Sequence, residues 1–267
     1  MTAPAHATTG IGPLEARLRF SRDAGRKLLV PYVTGGYPGW ERAVEACAAA
    51  GADAIEVGIP FSDPVMDGPT IQEASEVALD QGANLGSILT ALRDIDAGVP
   101  IVVMTYVNLV FHSGYARFAA EAAAAGVSGV ILPDLPMEEA GEWEPFGAAE
   151  GIATVQLASP LTPDDRLARL CERSQGFVYG VNLLGVTGER RELADSSTVL
   201  AKRLKATTDL PAIMGFGIAT PEQAVAASAH ADGVVVASAL MRQRLDGASP
   251  EALGATVATF RAALDHA

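Results

Sequence analysis

The segment Ile55-Glu56-Val57-Gly58-Ile59-Pro60-Phe61-Ser62-Asp63-Pro64-Val65-Met66-Asp67-Gly68-Pro69-Thr70 opens as an apolar strand and passes into a turn rich in proline and glycine. A helical pattern, Ile71 to Gln81, follows it. Strand, loop and helix in that order make one βα unit, and the same unit recurs along the chain. The strand carries one carboxylate, Glu56, among Ile, Val and Gly. Removing it from water unpaired is costly, so its pKa is expected to rise far enough for it to carry a proton near neutrality. Asp67, flanked by Gly68 and Pro69, reads as a residue of a wetter loop that stays ionised. Two carboxylates with pKa values pushed apart suggest an acid and a base. Each also has a plainer reading. Glu56 is equally a strand-end acceptor for backbone amides, and Asp67-Gly68 a common turn pair. Asp63, before Pro64, reads as a turn residue or a partner contact rather than a chemical group.

Working outward, the spacing predicts a short amphipathic helix over Pro13–Gly25 and then eight strand–helix units. The strands are Leu28–Val33, Ala54–Ile59, Pro100–Val107, Gly129–Leu132, Thr154–Ala158, Phe177–Val181, Ala212–Met214 and Gly233–Ala237. The helices are Trp40–Ala50, Ile71–Gln81 with Leu85–Ile95, Tyr115–Ala125, Glu138–Glu150, Pro163–Arg173, Ser196–Thr207, Pro221–Ala229 and Pro250–Asp265. The strands are short and apolar throughout, as strands covered on both faces are. Thr162-Pro163 and Thr220-Pro221 are helix-start signals with proline at the first helical position. No shift in composition marks a domain boundary, and the chain has 267 residues. The arithmetic gives an α/β fold, a (β/α)8 TIM barrel with an additional N-terminal helix, occupying residues 11–267 after a disordered tail at 1–10. An open doubly wound sheet calls for a dinucleotide fingerprint, and GxGxxG is absent: Gly215-Phe216-Gly217 is only a GxG.

Composition excludes several functions. The net charge of −13 argues against a nucleic-acid surface, which needs clustered Lys and Arg. Cys47 and Cys171 lie in helical apolar patterns and read as small core residues. His6, His112, His230 and His266 are scattered, and with no CxxC pair a zinc site is not expected. No apolar run approaches the roughly 20 residues of a membrane span. The first ten residues lack the basic start and apolar stretch of a signal peptide, so a cytoplasmic location is expected.

In a barrel of this kind the chemistry sits where the strands end. The residues there are Tyr32, Thr34, Glu56, Tyr106, Asn108, Asp134, Tyr179, Gly215, Gly217 and Ser238. Gly215 to Pro221, after the seventh strand, and Ala237-Ser238-Ala239, after the eighth, lie where barrels often bind phosphate. Glycines let backbone amides approach such an anion; ordinary turns are the alternative. Leu184 to Asp195 is a long polar turn, either a lid that excludes water or a solvent loop. Tyr106, Tyr179 and Phe216 either stack on a flat ligand or plug the barrel top.

Taken together, the residues resemble the tryptophan synthase α-subunit family. The resemblance is carried by Gly51 to Gln72 (GADAIEVGIPFSDPVMDGPTIQ), and by VPYVTGGYPG, TYVNLVF, PDLPMEE, GVTGERR and GFGIATPEQ in the same order. It implies a (β/α)8 barrel and a lyase that cleaves indole-3-glycerol phosphate to indole and glyceraldehyde 3-phosphate. It implies no cofactor in this chain; pyridoxal phosphate belongs to the β subunit of an α2β2 complex. By resemblance Glu56 is the acid–base residue and Asp67 the aspartate facing the indole N–H. Tyr179 orients Glu56, and Thr187 steadies Asp67 when the lid closes. Tyr32, Tyr106 and Phe216 line the indole pocket, and Gly188, Gly217, Ala237 and Ser238 form the phosphate cradle. Pro60 and Asp63 face the β subunit. The chain departs from the family pattern in three places. Ala237 stands where glycine is common, Tyr37 where aspartate is common, and Asn182-Leu183-Leu184 replaces a more polar stretch. Two further readings share the resemblance: a standalone indole-3-glycerol phosphate lyase of secondary metabolism, and a non-catalytic activating partner of a β subunit. Intact Glu56, Asp67 and Thr187 weigh against the second.

Overall fold

The computed structural model describes residues 11–181, 190–215 and 217–267. The chain begins with helix α1 (Pro13–Asp23), strand β1 (Leu28–Thr34), α2 (Trp40–Ala49) and β2 (Ile55–Gly58). It continues through α3 (Pro69–Asp80), α4 (Leu85–Leu92), β3 (Ile101–Met104), α5 (Val107–Ser113), α6 (Tyr115–Ala124) and β4 (Val127–Ile131). A single 3₁₀ turn (Ala140–Glu142) precedes α7 (Glu144–Ala149), β5 (Ala153–Ala158), α8 (Asp164–Arg173) and β6 (Val178–Val181). The last elements are α9 (Arg190–Thr207), β7 (Ala212–Gly215), α10 (Pro221–Ser228), β8 (Gly233–Val236), α11 (Ser238–Leu245) and α12 (Pro250–Asp265). The eight strands pair in sequence order, all parallel, and β1 closes on β8. The expected (β/α)8 barrel is the fold.

Alternation along each strand sorts the core into two layers. Val30, Ala54, Val102, Ile131, Val155, Phe177, Tyr179 and Ile213 fill the barrel interior. Leu29, Val33, Ile55, Val57, Val103 and Val130 face outward and pack under the helices, with Trp40, Ile88, Phe118, Trp143 and Phe260. The interior layer is continuous with Leu14 and Leu18 of α1, which stopper the end where the strands begin. Leu14 reaches so far in that a Cβ at Gly129 or Gly176 would lie 2.6 or 2.5 Å from its Cδ2. Those two glycines are the recess into which the additional helix fits.

The strands start from a repeated device. Asp53, Gln175 and Asp232 each stand just before an even-numbered strand. The backbone N–H of each donates to the carbonyl of a residue on the preceding strand: Leu29, Thr154 and Ala212 respectively. The side-chain oxygen accepts the N–H of that same residue, at 2.9, 3.1 and 2.8 Å. Two of the three are ion-paired: Arg26 and Arg261 reach Asp53 at 2.9 and 3.2 Å, and Lys205 reaches Asp232 at 2.9 Å.

Several expected elements are redrawn. The third strand ends at Met104, and Val107 opens helix α5, so Asn108 lies in a helix rather than at a strand end. The helix expected over Glu138–Glu150 is broken in two, because Pro145 favours a fresh first turn. The turn expected over 184–195 ends earlier, since α9 already begins at Arg190. Thr220 caps α10 as expected. Thr162 does not cap α8; its hydroxyl turns back to accept the Ser159 N–H at 3.0 Å. Helix α11 was not expected: its buried positions are Leu240, Met241 and Arg244, and a buried arginine interrupts the apolar stripe that reveals a helix. The N-terminal ten residues and the sequence 182–189 lie outside the described residues, and with them the tail and most of the lid reading.

Candidate active site

Ala54 belongs to the barrel interior, while Ile55 and Val57 face the helices. The two-residue period therefore turns Glu56 inward. It lies level with Tyr32, its partner across the β1–β2 register. Glu56 is 2 % exposed, and its Oε2 is buried with no hydrogen-bond partner among the described residues. Burial raises its pKa to about 8, and the nearby Asp67 charge pushes the same way. The plainer reading, a carboxylate saturated by backbone amides, does not hold for Oε2.

Asp67 sits two residues before α3, past the Phe61–Met66 loop. Its environment is drier than expected: burial raises its pKa to about 6, opposed by the hydrogen bond from Tyr106. At neutral pH it remains mostly an anion, two units below Glu56. The separation of the two carboxylates is therefore present, with the Tyr106 hydrogen bond opposing the effect of burial on Asp67. Tyr106 Oη donates to Asp67 Oδ2 at 2.9 Å and accepts the Met66 N–H at 3.0 Å. The ring of Phe61 stacks on that of Tyr106 at 5.0 Å.

Two glycines make room for two phenols. A Cβ at Gly58 would lie 1.9 Å from Tyr32 Oη, and one at Gly215 would lie 2.5 Å from Tyr179 Cε2. Both tyrosines are buried, and both are held well above the ordinary phenol pKa, by desolvation first and then by the carboxylates. For Tyr32 the larger carboxylate contribution is Asp67; for Tyr179 it is Glu56. Tyr32, Glu56, Asp67, Tyr106 and Tyr179 thus meet at one end of the barrel. The Thr105 hydroxyl is also buried there without a partner among the described residues, and the Thr34 hydroxyl lies buried beside Tyr32.

The remaining candidates are spread around the rim. Gly217 is exposed, with φ +65°, a backbone that suits glycine. Ala237 is the residue before α11, and Ser238 is the exposed first residue of that helix. The Ala237 methyl packs against the cluster of Tyr32, Ile71, Ala74 and Met241, which gives the departure from glycine a structural use. Tyr37, the second departure, donates to the Arg244 carbonyl at 3.0 Å, with the guanidinium over its ring. Thr187, Gly188 and Phe216 lie outside the described residues. Asp63 is exposed and accepts from Ser62 Oγ at 2.6 Å. Pro60 is buried, so it shapes the loop from beneath and offers no surface to a partner. The described residues contain no group of His, Cys, Asp and Glu able to hold a metal ion, and no helix among them is long and apolar enough to cross a membrane.

The chain as a whole shares its sequence and its shape with known proteins of one family. The family model described as tryptophan synthase alpha chain matches residues 19–262. The tryptophan synthase alpha chain of Gluconacetobacter diazotrophicus is 46% identical over 232 residues, covering 85% of each chain. That of Xylella fastidiosa is 43% identical over 262 residues, covering 94% of this chain and 98% of its own. Among solved structures, tryptophan synthase subunit alpha from Legionella pneumophila superposes with a TM-score of 0.87 at 33% identity, covering 97% of this chain and 100% of that one. A tryptophan synthase structure from Mycobacterium tuberculosis gives 0.88 at 37% identity, covering 96% and 99%. With that extent of agreement in sequence and in backbone, the chain belongs to the tryptophan synthase alpha chain family.

Proposed function

We propose that Glu56 carries the proton, and Asp67 the stabilising charge, in the cleavage of indole-3-glycerol phosphate. Family membership makes the chain a carbon–carbon lyase of tryptophan biosynthesis; the residue roles are our reading. The observation that carries them is the pairing of a buried, unsaturated carboxyl on Glu56 with an anion fixed on Asp67. A protonated Glu56 gives its proton to indole C3, and Asp67 stabilises the positive charge that grows on the ring nitrogen. Glu56, now a carboxylate, takes the proton of the 3′-hydroxyl as the carbon–carbon bond opens. Indole and glyceraldehyde 3-phosphate leave, and Glu56 is again protonated. Tyr179, turned toward Glu56 and seated on Gly215, orients it. Tyr32 and Tyr106 wall the indole pocket together with Phe216. Backbone amides near Gly188, Gly217, Ala237 and Ser238 cradle the phosphate, and Thr187 steadies Asp67 from the lid.

These steps move only protons and one carbon–carbon bond, and they call on no cofactor of this chain; pyridoxal phosphate chemistry is assigned to the β subunit. The partner is a β subunit in an α2β2 assembly, in the cytoplasm. Val65, Met66, Phe111 and Leu161 are exposed apolar residues on the loops and helices that follow β2, β3 and β5. Gathered at the active-site end beside Asp63, they support docking of a partner there. The test is indole release from indole-3-glycerol phosphate by the purified protein, alone and with a β subunit. Glu56→Gln is expected to abolish release while leaving the fold intact; turnover near that of the parent protein would refute the assignment. High turnover without a β subunit would favour a standalone lyase.

A further inference from the structure

We propose that Tyr106 is the positioning residue of Asp67, fixing one carboxylate oxygen so that the other stays free for the ring nitrogen. The proposal rests on the role given to Asp67 above and extends Tyr106 beyond a pocket wall. The phenol oxygen is committed on both sides. It accepts the Met66 N–H, so its own proton is directed to Asp67 Oδ2. Asp67 Oδ1 has no hydrogen bond among the described residues.

Tyr106 is itself held in place. Phe61 stacks on its ring. The next residue, Val107, donates its N–H to Asp134 Oδ1 at 2.9 Å, anchoring the start of α5 to the loop after β4. On the other side, Gln72 Nε2 donates to the Asp67 carbonyl at 2.9 Å, so the aspartate backbone is tied to α3. Asp67 is thereby gripped through its carbonyl by one element and through its carboxylate by another. Such fixed donors are what a group aimed at developing charge requires.

The groups facing Asp67 are Tyr32 from β1, Glu56 from β2, Tyr106 from the residue before α5, and Tyr179 from β6. Asp134 faces Tyr106 from the loop after β4. No lysine or arginine among the described residues pairs with Asp67. Its anion is therefore favoured by the Tyr106 hydroxyl as well as by partial contact with solvent, and removing that hydroxyl raises the Asp67 pKa further above the ordinary carboxylate value.

The test compares the parent enzyme, Tyr106→Phe, Asp67→Asn and the double variant, each assayed with its β subunit across pH. Tyr106→Phe keeps the ring that Phe61 stacks on. It is expected to lower kcat roughly ten- to hundredfold, the scale of one hydrogen bond to a charged group. KM is expected to change little, and the acid limb of the profile to move to higher pH. In the Asp67→Asn background the same change is expected to add no further loss. A carbon-13 titration of the Asp67 carboxyl in folded Tyr106→Phe reads the shift without activity. Parent-like kcat with an unmoved limb, or an undiminished loss in the Asp67→Asn background, would overturn this inference alone. Full turnover in Asp67→Asn would overturn the role of Asp67 as well.

Discussion

Glu56 must begin the reaction protonated and Asp67 must begin it ionised, and the two conditions overlap only between their pKa values of about 8 and about 6. The profile of kcat/KM against pH is therefore expected to be a bell centred near neutrality, its limbs belonging to the coupled pair. Asp67→Asn should remove the acid limb from whatever activity survives. The same burial has a stability signature. The unfolded chain releases the Glu56 proton near 4.5, the folded chain near 8. Between those values the folded state binds more protons, so its stability falls as pH rises through the window, and levels off above it, by on the order of a few kcal/mol. Glu56→Gln removes this cost. Its melting temperature is expected to exceed that of the parent protein at pH 8.5, with the gap closing toward pH 5. A second expectation concerns the phenols: Gly58→Ala pushes a methyl into Tyr32 Oη, and steady-state indole release should fall by at least tenfold while the barrel persists. Much of this was legible in the residues: a glutamate on an apolar strand announces a raised pKa by burial alone. Asp67 was misjudged because its burial and its donor arrive from Tyr106, 39 positions away, and no local pattern shows that.

At the scale of elements, the Asp53–Leu29, Gln175–Thr154 and Asp232–Ala212 pairs set the register at the stoppered end of the barrel, away from the chemistry. Asp53→Ala removes the acceptor of the Leu29 N–H and one of the two carboxylates on Arg261, which keeps Asp265 at 2.6 Å; losing hydrogen bonds to a buried charge costs about 1.5–3 kcal/mol. Urea unfolding should show that loss, while indole release per folded molecule stays near the parent value. The elements themselves were readable from period and caps, strands most of all, because both faces of each are apolar. The two helices missed by sequence reading have physical explanations. Val107–Ser113 follows straight on an apolar strand with no break in hydrophobicity, and Ser238–Leu245 turns Arg244 inward, where its head is held by the Pro38 and Ala248 carbonyls. A period argument detects apolar faces, and a face closed by an arginine on backbone carbonyls escapes it.

For the whole molecule, the active end carries the exposed side chains of Val65, Met66, Phe111 and Leu161 and the acidic loop. Phe111→Asp is expected to weaken β-subunit binding by at least tenfold, because it buries a charge at the proposed contact, while turnover of the isolated chain changes little. Titrating one subunit with the other and following indole release measures both.

Arg261 has one further implication. It meets Asp53 across 208 positions of chain and also donates to the Lys27 carbonyl. On the ribosome, the first two strands and the carboxylate between them are made long before that guanidinium emerges. Until α12 is synthesised, Asp53 has only Arg26 as a counter-ion, and the nascent polypeptide holds a half-compensated charge where β2 starts beside β1.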